Sequence, residues 1–186
     1  MRQKNEKLKV YEFLYNRLPF SDNETEEYEA MQRMDLLEEH FDLYLRKINT
    51  KNMELHWHCE VVVGTEHEMI NVLIATEYCY YLFVLHDYSG EHYINPFNIL
   101  INKQYEAVYD LNRTAKIYDK FKESLIDEGS FQRPIIIKHV VMNETFKLAK
   151  RPSDQFLTLK NLPFYLKAIE HSAVIRKKHL RPDLRT

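Results

Sequence analysis

The sequence predicts a single α/β domain in which a mixed sheet is flanked by helices. Three observations carry this. A chain of 186 residues with 45% hydrophobic and 13% aromatic content is long enough to bury one good core. Its N-terminal third has apolar residues at helical spacing. Its middle switches to runs rich in β-branched and aromatic residues, and a further helix and strand pattern follows.

Leu8, Tyr11, Leu14, Tyr15 and Leu18 fall on one helical face, and Pro19 stops that helix. Ser21 with Glu24 three residues later forms a capping-box pattern. Met31, Met34, Leu37, Phe41, Leu45 and Ile48 continue a core-facing stripe behind it. Strands are expected at His56 to Val63, Glu68 to Thr76 and Tyr78 to Leu85, arranged antiparallel, with Gly64 in the first connection. Two weaker strands, Glu91 to Ile94 and Asn98 to Ile101, flank the turn signal Asn95-Pro96. Val108, Leu111, Ala115, Tyr118, Phe121 and Leu125 are spaced for a crossover helix, with Gly129 placed to end it. Pro134 introduces Ile135, Ile136, Ile137, Val140 and Val141, a run suited to a central strand with a parallel neighbour. A last helix starts near Pro163 and buries Leu166 and Ile169. The expected organisation is therefore N-terminal helices over 1–50, sheet and crossover helix over 54–142, and a C-terminal helix over 160–180.

Composition excludes several functions. With only Gly64, Gly90 and Gly129, neither a phosphate-cradling loop nor a dinucleotide fingerprint can be written, and no serine sits in a nucleophile elbow. The net charge of −2 gives no global pull toward nucleic acid or anionic membrane. Charge is nonetheless uneven. Residues 22–42 carry Asp22, Glu24, Glu26, Glu27, Glu29, Asp35, Glu38, Glu39 and Asp42 against Arg33 alone. The C-terminal end offers Arg176, Lys177, Lys178, Arg181 and Arg185 against Asp183, either a solvated end or a contact for phosphate. Cys59 and Cys79 have neither the number nor the spacing of a disulfide framework, and are expected reduced and buried. No signal-peptide core and no apolar run of spanning length is present, so a cytoplasmic protein without membrane contact is expected. His56 and His58 alternate along a strand and could present two imidazoles to a metal, although hydrogen-bonded histidines are the commoner arrangement. His67, His86 and His92 would join them only if the fold gathers them.

Three stretches resemble the nuclease-related (NERD) domain of the restriction-endonuclease-like superfamily, in the stand-alone form found in bacteria. Leu37-Glu38-Glu39-His40-Phe41-Asp42 keeps the Glu and the Phe-Asp pair of that family's first helix but not its glycine. Ile70-Asn71-Val72-Leu73-Ile74 matches a strand of the form Ile-Asp-x-Leu-x-Ile. Leu82-Phe83-Val84-Leu85-His86-Asp87-Tyr88-Ser89-Gly90 has the frame of Leu-Phe-Glu-Val-Lys-Asn-Tyr-x-Gly. The pattern extends through Tyr93 to Leu162-Pro163. The resemblance implies a restriction-endonuclease-like core and, in active members, an Asp and Glu that hold a divalent metal and a Lys that orients water.

At those positions this chain carries Asn71, Val84 and His86, with Glu38 retained. Asn71 removes a charge, Val84 removes a ligand, and an imidazole is shorter in reach than lysine. The resemblance therefore implies a catalytically inactive relative that needs no cofactor and serves as a binding or regulatory module. A protein partner is favoured over nucleic acid, and the oligomeric state is open. The alternative is a metal-dependent DNA nuclease, using Mg2+, with relocated catalytic residues. Asp87 and Glu91 are the foremost compensating carboxylates, with Glu68, Glu77 and Glu38 behind them. Without any nuclease ancestry, Val84 reads as core, Asn71 as a partner for a buried backbone group and His86 as a strand-end cap.

Overall fold

The computed structural model describes residues 2–15, 17–63, 66–127, 133–149 and 153–179. Two helices, α1 (Glu6–Tyr15) and α2 (Asp22–Leu45), precede the strands β1 (Glu54–Val63), β2 (Glu66–Ala75) and β3 (Tyr80–His86). These form the expected antiparallel meander. The Ser21–Glu24 capping box starts α2: the Ser21 backbone N–H donates to Glu24 Oε2 at 2.8 Å, and the Glu24 N–H donates back to Ser21 Oγ at 3.4 Å. After β3 come β4 (Glu91–Ile94), β5 (Ile99–Asn102), β6 (Ala107–Asp110), α3 (Asn112–Asp127), β7 (Ile135–Val141), β8 (Lys147–Ala149), β9 (Phe156–Thr158) and α4 (Leu162–His179).

The strands make two sheets rather than one. The larger has the order β1-β2-β3-β7-β9, with β7 parallel to both neighbours, as its β-branched run predicts. The smaller has the order β6-β5-β4-β8. Three short strands depart from the expectation. Val108 belongs to β6, and the crossover helix begins only at Asn112, so the apolar stripe begins one element too early. β8 and β9 are each three residues long, too short to show a period of two. Gly129, expected to end α3, and Gly64, expected in the β1–β2 connection, lie outside the described residues.

Alternation along the central strands divides the core between the faces of the large sheet. Phe83 and Leu85 of β3 pack with Phe41 and Leu45 of α2 and with Leu162, Leu166 and Ile169 of α4. Leu82, with Val84 against it, packs toward Ile117 of α3. A third cluster of Leu100, Leu111, Val141, Phe146 and Phe156 joins the small sheet to β7 and β9. Each of these large side chains stabilises the fold by roughly 1.5–3 kcal/mol through burial. Gly90, at φ +81°, ends the Tyr88-Ser89-Gly90 turn in a backbone conformation that other residues adopt only under strain. Cys79 is buried, whereas Cys59 is only half-buried; both are free thiols, and burial pushes the Cys59 thiol up. Among the described residues no helix is long and apolar enough to cross a membrane.

Candidate functional site

Glu38 lies three residues before Phe41 on α2, so the helix that buries the phenylalanine also carries this carboxylate into the interior, where it is 1% exposed. Its oxygens are fully engaged. Asn71 Nδ2 donates to Oε1 at 3.1 Å, His58 Nε2 lies 2.6 Å from Oε2, and Arg2 approaches Oε2 at 3.2 Å. Pairing with a guanidinium and an imidazole is what makes a buried carboxylate tolerable. The Arg2 guanidinium also pairs with Asp35.

Asn71 is committed at both ends. The β2–β3 ladder runs from Ala75↔Tyr80 to Val72↔Phe83. Beyond that point the Leu85 backbone N–H donates to Asn71 Oδ1 at 2.8 Å. The side chain thus satisfies a buried backbone group and links β3 to α2. Its partner position in β1 is distorted as well. His58, between the paired residues Trp57↔Val72 and Cys59↔Ile70, has φ +57°, a left-handed conformation that costs a non-glycine residue roughly 1–2 kcal/mol. That turn of the backbone accompanies the contact between its imidazole and Glu38. His56 instead lies at the surface beside Glu54, at 3.8 Å, so the two histidines do not form a pair.

Val84 and His86 are committed to the other face. Val84 packs against the cluster under α3. His86 Nε2 is 2.9 Å from His139 Nδ1, and His139 Nε2 is 2.8 Å from Thr114 Oγ1 at the start of α3. His86 also stacks on Tyr88 with ring centroids 4.6 Å apart, and Tyr109 meets both imidazoles edge-on. Burial, and then the neighbouring His139, pushes the His86 imidazole down to about 3; burial alone brings His139 to about 4. Both rings are therefore neutral at pH 7. The positions that resemble the nuclease motif do not converge: Glu38 and Asn71 meet beside α2, while Val84 and His86 face α3.

The compensating carboxylates are elsewhere again. Asp87 and Glu91 are exposed and line one open cleft of about 460 Å3 between the β3–β4 turn and the β5–β6 turn, together with His92 and Lys103. Glu68 is held in an ion pair with Arg113, and Glu77 is exposed in the turn before β3. Arg176, Lys177 and Lys178 fall on the last turn of α4, their side chains outside the described residues, and Arg181, Arg185 and the side chain of His67 lie outside them too. Among the described residues no three His, Cys, Asp or Glu side chains are grouped to hold a metal ion.

Sequence reasoning missed His139 and Thr114 and the pairing of His58 with Glu38. His139 follows Lys138 within the β-branched strand β7 and sits on the buried side of it, and that polar residue among Ile and Val is the available signal for a buried polar partner. The Glu38 contacts join residues 20 and 33 positions apart, and no local spacing reveals them. Comparison of the chain with protein-family models, with curated proteins and with solved structures returned no match.

Proposed function

We propose that this chain is a catalytically inactive, nuclease-related protein with a restriction-endonuclease-like core, a cytoplasmic bacterial binding module whose partner is another protein. The observation that carries the reading is the double commitment of Asn71, which bonds the Leu85 N–H and Glu38 in the position where a nuclease would keep a metal-binding acid. A magnesium ion does not fit at Glu38. Asn71, His58 and Arg2 occupy its oxygens, and the fixed guanidinium charge of Arg2 opposes a cation there. The acidic outer surface of α2 favours a protein partner over nucleic acid, because nonspecific DNA affinity comes mainly from lysine and arginine contacts to phosphate.

The test is cleavage of single- and double-stranded DNA by the purified full chain with magnesium and with manganese. The expected result is no cleavage above that of a Glu38→Gln control. The opposing reading, a nuclease with relocated residues, draws on the shared cleft of Asp87 and Glu91. Metal-dependent cleavage that disappears in Asp87→Ala or Glu91→Ala would establish it and overturn the proposal.

A further inference from the structure

A second cavity, of about 360 Å3, opens beside the buried Glu38 cluster. Its apolar wall is Ala30, Met31 and Met34 on α2 and Met69 on β2; Glu38 and His58 line it too, and Asn5, Lys7, Glu27 and Asp35 make the rest of the lining polar. The volume falls at the small end of the range for small-molecule sites, roughly 300–1,000 Å3. Three features set it apart from a packing gap.

The first is charge. The ionic groups of the lining are already paired, Lys7 with Glu27 and Asp35 with Arg2, and Glu27 also accepts from Tyr11 at 2.6 Å. None of these groups is left as a free charge to recognise an ionic ligand, so the lining suits an uncharged molecule. The second is the proton on His58. The Glu38 carboxylate accepts only, so in the neutral imidazole it fixes the hydrogen on Nε2 and leaves Nδ1 as an acceptor. Nδ1 has no hydrogen-bond partner among the described residues, and the side chain is 26% exposed in a ring that lines the cavity. The third is the backbone: His58 is held at φ +57° within a strand, the kind of local strain that persists where a side chain must be aimed.

We infer that this cavity binds a small, uncharged aromatic alcohol, whose ring lies against the methionine thioethers and whose hydroxyl donates to His58 Nδ1. Sulfur–aromatic contacts suit such a ring, and methionine adapts to its outline. Glu38, Asn71 and Arg2 act as positioning residues that hold the imidazole in one tautomer. The inference stands apart from the nuclease-related reading, since ligand binding here and DNA cleavage are measured separately and either can fail alone.

The probe is β-naphthol, with its methyl ether as the matched molecule that lacks the donor. Binding to the full chain is followed by saturation-transfer NMR and calorimetry, and the His58 ring nitrogens by long-range proton–nitrogen correlation. The expected result is saturable β-naphthol binding, roughly tenfold weaker binding of the ether from loss of one hydrogen bond, and a shift confined to Nδ1 of His58. Ala30→Trp, at an exposed position of α2, fills the cavity without disturbing the core and is expected to abolish binding. His58→Phe is expected to bring the two probes to equal affinity. No binding of β-naphthol, equal binding of naphthol and ether by the unmodified chain, or undiminished binding by Ala30→Trp would each overturn the inference.

Discussion

Asn71→Asp, a change of one nitrogen to one oxygen, places a second carboxylate against Glu38. The separation it replaces is the 3.1 Å between Asn71 Nδ2 and Glu38 Oε1. Two unit charges at that distance repel by about 5 kcal/mol at an effective dielectric constant of about 20. The chain can escape that cost by protonating one of the two acids. With an ordinary carboxyl pKa near 4, holding that proton at pH 7 costs about 4 kcal/mol, which caps the loss of stability. The sign follows from proton linkage: the folded variant keeps a proton that its unfolded form releases, so its deficit grows as pH rises and shrinks as pH falls. Near pH 4 the introduced side chain, once protonated, would again donate to Glu38, leaving a deficit under about 1 kcal/mol. Asn71→Ala is the control. It strands the buried Leu85 N–H and removes one partner of Glu38, a loss of about 2–4 kcal/mol that should not diminish toward pH 4. Urea unfolding of the three proteins at about pH 7, 5.5 and 4 measures these differences. An Asn71→Asp deficit that is absent, or constant across this range, would refute the contact between Asn71 and Glu38 on which the site description rests.

The neutral His86–His139 pair makes stability pH-dependent in the opposite sense. Their folded-state pKa values lie below the ordinary 6.5, so the unfolded chain takes up protons that the folded chain refuses. Their contribution is full above about pH 7 and is lost as pH falls through 6.5 toward 4, on the order of 3 kcal/mol for the pair between pH 7 and 5. Urea midpoints measured across that interval should fall accordingly, and a flat profile would contradict the buried neutral pair. Ser21→Ala removes half of the α2 capping box and should cost about 1 kcal/mol by the same assay. A change within error would mean the box contributes nothing to the fold.

How far the fold is legible in the sequence depends on the length of each element. α2 announces itself through Ser21, Glu24 and the five stripe residues from Met31 to Leu45, with Ile48 falling just past its end, and β7 through its β-branched run, because each repeats its signal several times. β6 is hidden because Val108 and Leu111 are three apart and join the helical spacing of α3. β8 and β9 pair with β4 and β7 through contacts that no local pattern encodes. The site divides the same way. Glu38, Asn71, Val84 and His86 stand out by position, but the alternation of β3 turns the last two away from Glu38: Phe83 and Leu85 face α2, and Val84 and His86 face α3. The meeting of Asn71 with Glu38 depends on the end of the β2–β3 ladder at Val72, and the His86–His139–Thr114 chain on parallel pairing of β3 with β7. Both are tertiary events.

Isothermal titration of the purified full chain with magnesium and with manganese tests the central claim most directly. No saturable heat is expected with either ion, since the Glu38 carboxylate is fully paired and Asn71 is bonded at both ends. Stoichiometric binding that is lost in Glu38→Gln, or in Asp87→Ala, would contradict the claim and mark this chain as a metal-dependent protein.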